Sequence, residues 1–539
     1  MSEETKQQQQ PKPTSELQDL DSLSDSANGS RRRRDSSAST RGKKRFEEIS
    51  SRGHLPTSFL FPSGSYSRKA QEKYSVELFE TPDEHLKATA SVEDTMTGEG
   101  LSKKRKGLNS GEGAGIQKTL GWWGAFFNMV AYAIALGVLS IPLVAVSLGV
   151  VPFVLLTIFF AYLCWYVGIQ YWKLKQRFPG VQNLQDAGHL MFGKWGGHFL
   201  GFAQLIFSIF LQGNHVLLGA TAFHILGWHS CAVGLAVVFA FISFLFTLPR
   251  SYTLFSISAF ISFTSIVTVV IIAMIASGIS GPTNAPPNAP PIKIKAFGPA
   301  DGVEVDFLTG FLYTLNLFVS FGAIPGYLPI MSEMRKPKDF PKSMAILVAC
   351  QIVLYLIVGG VIYNNLGQYT LSPSLNSLSP TMSKVAYGLG LPTILIAGCE
   401  SGQVAAKHLY IIIFRSKPHH IHNSTKLGWL VWILINVFTW TIAFVLAECI
   451  PFFSSFLGLE AALFWALFNG LAAVMWLFLN QGSWFKGLKN KIMFLVALIV
   501  VASCSVLCVV GMWSSVISIR DAYAKGVVGG VFSCQVGSA

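Results

Sequence analysis

Apolar residues along this chain fall into runs of about twenty, the length that carries a helix across a bilayer, with short polar stretches between them. The runs cover residues 122–143, 146–171, 199–226, 230–249, 254–277, 307–331, 343–365, 385–414, 428–448, 452–479 and 492–518. They predict about eleven membrane-spanning helices and an all-α polytopic membrane protein. Two of the runs are interrupted. The first carries "ALGVLSIP", with Gly137, Ser140 and Pro142 where they weaken a helix most, and the sixth carries "FVSFGAIPGYLPIMSE", with Gly322, Pro325, Gly326 and Pro329. Backbone groups freed in hydrocarbon cost several kcal/mol each, so a broken span survives only where protein or a water-filled cavity takes those groups up.

The two interruptions correspond if runs one to five and six to ten form two halves of opposite orientation, because an odd repeat length inverts the second copy. Run eleven is then an addition outside a five-plus-five inverted repeat. Paired breaks at matching positions point to a transporter site between the repeats. The half-helix that starts after the first break presents free N–H groups and a partial positive charge, suited to a carboxylate. Carbonyls left open at the sixth run, with Ser320, suit an ammonium group or a cation. Together they fit a zwitterion, with Ala135, Leu136, Gly137, Val138 and Leu139 on one side and Ser320, Phe321 and Gly322 on the other as candidate substrate-binding residues.

Composition agrees with the pattern. Of 539 residues, 51% are hydrophobic and only 13% charged, a balance foreign to a water-soluble globule of this size. The formal charge of +13 invites a nucleic-acid reading, but the basic residues lie in the N-terminal tail and in short loops, where membrane topology accounts for them. With the N-terminus in the cytosol, Lys103 to Lys106, Lys118, Lys173, Lys175, Arg177, Lys194, Arg250, Arg335, Lys336, Lys338, Lys342, Arg415, Lys417, Lys426, Lys486, Lys489 and Lys491 lie inside. Only Lys293, Lys295, Lys384, Arg520 and Lys525 then lie outside.

Residues 1–115 are polar, Ser-rich and too poor in apolar surface to offset the entropy of ordering, which predicts a disordered cytosolic tail. Ser36 and Ser37 after Arg31 to Arg34 suit a basic-directed kinase, so kinases or trafficking adaptors are the partners expected there. No charged start, apolar core and cleavage site opens the chain, so the first run is expected to direct insertion. Residues 116–520 make the transmembrane domain and 521–539 a short non-cytosolic tail. The Pro-rich stretch "SGPTNAPPNAPPIKIKAFGPADG" between runs five and six is expected to be a flexible spacer, though long enough for a lid. The eight cysteines, at 164, 231, 350, 399, 449, 504, 508 and 534, show no CxxC pair, and most lie in apolar runs. They read as small hydrophobic packers, neither metal ligands nor a disulfide framework.

Ionisable residues at bilayer depth each ask for a reason. Glu400, Gln403 and Lys407 form one stripe of the eighth run, flanked by Gly398, Ser401, Gly402, Ala405 and Ala406, a face that packs on protein. Glu400 is a candidate for proton coupling or a structural hydrogen-bonded acid. Lys407 either takes part or snorkels to the cytosolic edge. His215, in "LQGNHVLLG", faces the scaffold side and either handles protons or is a satisfied core histidine. Glu460 falls inside the tenth run, in an outer gate or an aqueous vestibule.

The segment "TLGWWGAFFNMVAYAIALGVLSIPLVAVSLG" resembles the first helix of the amino acid/auxin permease family. "SEMRKPKDFPKSM", with Glu333, Pro337, Asp339, Phe340 and Pro341, is similar to that family's loop after helix six, and "YGLGLPTILIAG" and "IPFFSSFLGLEAALF" to its eighth and tenth helices. The resemblance covers about residues 117–518 and is nearest to fungal neutral amino acid permeases. It implies a LeuT-type fold of the APC superfamily and secondary transport of amino acids, usually driven by protons, at the plasma membrane or else a vacuolar or endosomal one. Ala135 departs from the family's Gly-x-Gly pattern, and Ala131 stands where sodium-using relatives have a polar Asn. The expected function is proton symport of neutral amino acids by alternating access, without cofactor, metal or nucleic acid. Sodium coupling and an amino-acid-sensing receptor with little transport are the alternatives. No HExxH, GxSxG or P-loop supports an enzyme.

Overall fold

The computed structural model describes residues 120–134, 137–250, 252–286, 290–414, 417, 419–422, 425–526 and 531–534, without the side chains of 252–256 and 421–422. The expected tail, Ser36, Ser37, Ala135 and Leu136 lie outside the described residues. Within them, regular structure is helical apart from one bridge between Leu120 and Met334. The first span consists of α1 (Trp122–Ile134) and α2 (Ile141–Leu148), joined through a tight turn at Gly137–Leu139 and bent by 43°. Spans two to five are α3 (Val150–Arg177), α4 (Leu184–Leu226), α5 (Ala232–Thr247), which at 16 residues is shorter than a full crossing and is counted as a span from the sequence pattern, and α6 (Tyr252–Ser280). The sixth is again two pieces, α7 (Phe307–Val319) and α8 (Ile324–Glu333). Spans seven to nine are α9 (Phe340–Leu366), α10 (Pro380–Phe414) and α11 (Lys426–Cys449). The tenth joins α12 (Phe453–Glu460) to α13 (Ala466–Leu479) through a π-helical turn at Ala461–Trp465, and the eleventh is α14 (Gly487–Ala524).

Local chemistry sets several of these boundaries. Asn183, Asp306 and Thr425 each accept a hydrogen bond from the backbone N–H three residues on, capping α4, α7 and α11. Proline in the first turn of α2, α8 and α9 starts a helix where its missing N–H is an orphan anyway. The third run begins earlier than its apolar stretch. The Asn183 cap starts a helical lead-in at Leu184, and Gly193, at φ +74°, turns it into the span proper.

Large apolar side chains cover the outside as well as filling the core, and many polar ones lie inside. Leu155, Ile158, Phe241, Leu434, Phe438, Leu495 and Val509 are exposed, while Gln212, Asn214, His215, Asn316, Gln351, Glu400 and Glu460 are buried. A surface of this kind belongs in lipid, and the chain is an integral, multi-pass membrane protein.

Packing between spans repeats with a shift of five. Span one packs on six, two on seven, three on eight and four on nine. Span one meets five as six meets ten, and three meets nine as eight meets four. Span five meets seven as ten meets two. The five-plus-five repeat expected from the paired breaks is thus present in the contacts, and α14 packs outside it on spans six and ten.

Two expectations change. The stretch before α7 is no loose spacer. Val150 and Val151 donate their N–H groups to the carbonyls of Lys295 and Ala296, while Gly298 and Ala300 donate to Leu148 and Val146. Gly149, at φ +89°, lets the strap approach, since a Cβ there would lie 2.8 Å from the Ala296 carbonyl oxygen. Cys231 and Cys534 are not packers but form a disulfide. Both sit beyond span ends, and 303 residues separate them, so no local spacing announces the pair. Spans four to eleven lie between them, an even number of crossings, so one disulfide is geometrically consistent with both ends on one side. A protease site placed in the loop of residues 281–306 should leave two fragments that stay joined on a non-reducing gel and separate with reductant. Cys534→Ser should let them separate without it; fragments already separate in the unreduced parent would contradict the bond.

Candidate substrate site

The two breaks meet. In the first span, Ser140 donates both its N–H, at 3.1 Å, and its Oγ, at 2.9 Å, to the Gly137 carbonyl, which stitches the turn before α2. In the sixth, Ser320 ends α7, and Gly322, at φ +93°, redirects the chain into α8. A Cβ on Gly137 would lie 1.9 Å from Ser320 Oγ and 2.9 Å from Ser320 Cα, so the spans touch backbone to backbone. The Ser320 carbonyl freed by the break accepts from Gln351 Nε2 at 3.0 Å and Tyr355 Oη at 2.6 Å, both on α9. Ser320 Oγ donates to the Asn316 carbonyl at 2.6 Å, and the Ala323 N–H finds Tyr327 Oη at 3.2 Å.

Beside this contact lies a cavity of about 30 Å³. Gly137, Ser320 and Gly322 form its backbone corner, Phe207, Leu211, Leu457 and Trp465 line it with apolar surface, and Tyr132, Ala133 and Val319 complete the helix ends around it. His215 and Glu460 supply its titratable side chains. His215 Nδ1 lies 2.6 Å from the Leu211 carbonyl, which can only accept, so Nδ1 carries the proton and, in the neutral imidazole, Nε2 presents a lone pair. Asn214 Nδ2 donates to Glu460 Oε2 at 2.7 Å. The volume suits a water or two, whereas small-molecule sites run to several hundred Å³, so the cavity is too narrow for an amino acid as it stands.

The sequence-based candidates separate. Gly137, Ser320 and Gly322 line the cavity, as does His215, which faces it rather than the scaffold alone. Val138, Leu139 and Phe321 are buried near it without lining it, and Phe321 packs edge-on against Tyr355. Glu400 and Lys407 lie on α10, away from the cavity wall. Both Glu400 carboxyl oxygens are buried without a hydrogen-bond partner among the described residues. Lys407 pairs with Glu333 at 3.2 Å, at the end of α8, instead of only snorkelling to the edge. Glu460, expected in a gate or vestibule, stands on the cavity wall. Its position one residue before the π-helical turn was not visible in an apolar run.

The contact at Gly137 leaves no room for a side chain. Gly137→Leu should reduce substrate binding by about a hundredfold or more, equivalent to roughly 2.7 kcal/mol, while inserting and purifying normally. Labelled-ligand binding to the purified variant checks this, and unchanged affinity would remove the first span from the site.

The profile of the family described as transmembrane amino acid transporter protein matches residues 118–518. A Neurospora crassa protein named N amino acid transport system protein is 29% identical over 474 residues, covering 84% of this chain and 95% of that one. A Gibberella moniliformis transmembrane transporter is 27% identical over 455 residues, covering 83% and 94%. Among solved structures, Mhp1, a nucleobase-cation-symport-1 family transporter in a closed conformation with bromovinylhydantoin bound, aligns with a TM-score of 0.47 at 13% identity, covering 77% and 95%. A substrate-bound, outward-open Na+-coupled sialic acid symporter aligns with a TM-score of 0.47 at 12% identity, covering 86% and 98%. With a match that spans both broken helices and all the cavity-lining residues, the chain belongs to the transmembrane amino acid transporter protein family.

Proposed function

We propose that this protein carries neutral amino acids across its membrane by proton symport through alternating access. The observation that carries the reading is the meeting of two broken spans around a narrow cavity whose walls are largely apolar and, among the described residues, include no Lys or Arg. Two half-helix N-terminal ends and two C-terminal ends converge there, a dipole arrangement suited to a zwitterion. Phe207, Leu211, Leu457 and Trp465 favour an uncharged side chain. The name of the Neurospora relative ties that protein to amino acid transport.

Proton coupling draws support from buried ionisable groups close to the moving parts. Gly398 packs so tightly on His215 that a Cβ would lie 3.0 Å from the His215 Cβ, which links the cavity wall to α10 two residues before Glu400. A change in hydration or in a neighbouring charge alters a carboxyl group's proton occupancy, so movement of α10 can load or release a proton at Glu400. Lys407 is held by Glu333 in this state and is available to respond when α8 moves. Ala131, one turn before the first break, offers no side-chain oxygen for sodium.

Two features support a cytosolic N-terminus. The basic loops alternate toward the N-terminal side. The Cys231–Cys534 disulfide ties segments on the opposite side, where an oxidising compartment would let it persist. The reading puts the protein in the plasma membrane, with kinases or trafficking adaptors acting on the tail.

Purified protein in liposomes, with pH and sodium gradients imposed separately, tests the whole reading. Labelled neutral amino acid should accumulate with the proton gradient alone, and accumulation only with sodium would make the coupling assignment wrong. Leu and Phe should compete at least about tenfold better than Arg or Glu, a difference of roughly 1.4 kcal/mol; stronger inhibition by Arg would overturn the neutral preference. Glu400→Gln should lose proton-driven accumulation while retaining substrate exchange. Normal accumulation by that variant would take the coupling away from Glu400.

A further inference from the structure

We propose that Glu460, His215 and Ser320 together form the receptor for the substrate's α-ammonium group, an assignment that rests on the amino acid transport reading. An ammonium group has three N–H donors and no acceptor, so its site needs acceptors whose own protons are committed elsewhere. The cavity contains three side chains of this kind. Ser320 Oγ sends its proton to the Asn316 carbonyl, leaving its lone pairs for the cavity. His215 directs Nδ1–H at the Leu211 carbonyl, leaving Nε2 as an acceptor. Glu460 uses Oε2 to accept from Asn214, while Oε1 is buried without a hydrogen-bond partner among the described residues.

The break itself has lost its best acceptor. The Ser320 carbonyl is already held by Gln351 and Tyr355, so it is not free to receive the amine. Among the described residues no Lys or Arg lines the cavity to act as counter-ion for Glu460, and an ionised carboxylate buried without one is costly. A substrate ammonium supplies that missing charge. The π-helical turn at Ala461–Trp465 begins directly after Glu460, and Trp465 within it reaches the same cavity. Such turns are frequent at functional sites, where one extra residue re-aims the side chains around it. Asn214 is the positioning residue, because its amide fixes one carboxyl oxygen and leaves the other for the ligand.

The experiment compares L-leucine with 2-hydroxy-4-methylpentanoate, which replaces the ammonium by a hydroxyl, in binding to the purified full-length protein. Wild type should bind leucine at least about a hundredfold more tightly, since a site built around a charged donor rejects an analogue lacking it. Glu460→Gln should remove most of that preference by weakening leucine binding, while changing the hydroxy acid's affinity by less than about threefold. Glu460→Asp should retain part of the preference. Thermal melting of each variant establishes that it is folded.

A folded Glu460→Gln protein that keeps the full preference for leucine overturns the proposal. So does one that loses both ligands equally, or one with normal binding that has lost only proton-driven accumulation. Wild type that binds the two ligands equally overturns it without any variant, should Glu460→Gln fail to fold. Wild type that binds the hydroxy acid but no amino acid in a panel of neutral, basic and acidic ones overturns the transport reading itself, and this proposal with it.

Discussion

The contact between Gly137 and Ser320 is the constraint on which the rest of the molecule depends. In a lipid-facing fold a helix can stop in mid-span only if every freed backbone group finds a partner, and here each break supplies much of the other's surroundings. Gln351 and Tyr355 from α9 satisfy the Ser320 carbonyl, and the Ser140 side chain and N–H satisfy Gly137. A Cβ at residue 137 would force the breaks apart, so the absence of a side chain there is a condition of this contact. The same intimacy makes the cavity small. An amino acid that occupies it must move the half-helices, and substrate binding is thereby tied to conformational change.

Much of the fold was legible because lipid enforces simple rules. Span lengths, the outward apolar faces and the paired breaks all leave strong marks in sequence, and the first and sixth spans broke where glycine, serine and proline predicted. Gly137, Ser320 and Gly322 were legible for the same reason. Glu460 was only half legible: an acid in an apolar run signals use, but the side of the helix it occupies depends on the π-helical turn after it, which leaves no residue signature. Phe207, Leu211, Leu457 and Trp465 are ordinary apolar residues whose role follows only from three-dimensional position. The pairing of Lys407 with Glu333 joins helices 74 residues apart, and no spacing on one helix reveals it. The Cys231–Cys534 bond was missed because Cys231 stands at the very start of an apolar run and reads as part of it, while its partner lies 303 residues away with no spacing to announce it.

The polar interior follows a common logic. In a hydrocarbon surround the penalty for an unsatisfied group is large, and several side-chain donors within the bundle are spent on carbonyls one turn back: Ser208 on Gln204, Gln212 on Ser208, Thr247 on Ser243 and Asn436 on Trp432. Among the described residues several buried acceptors keep spare capacity, the amide oxygens of Gln212 and Asn436 included, and two of these groups are acids. Glu400 has both oxygens unspent on α10, and Glu460 has one on the cavity wall. These two acids occupy different environments: Glu460 has an amide neighbour and lines the cavity, whereas Glu400 lies on α10 away from the cavity wall, with neither carboxyl oxygen hydrogen-bonded among the described residues.

Ties across the molecule join the halves of the two broken spans. On the N-terminal side, Leu120 donates to the Glu333 carbonyl at 3.0 Å and Arg335 donates to the Leu120 carbonyl at 2.9 Å, so the start of α1 is bound to the end of α8. Lys407 adds a charged link from α10 to the same place. On the opposite side, α2 packs on α7, and the strap that precedes α7 is hydrogen-bonded to Val146 and Leu148 in α2. Each side therefore joins one half of the first span to one half of the sixth. The breaks divide two spans into two pairs, α1 with α8 and α2 with α7, and each pair is cross-linked within itself. The two pairs meet at the turns around residues 137 and 322. The same few residues thus line the cavity and bring the two pairs together.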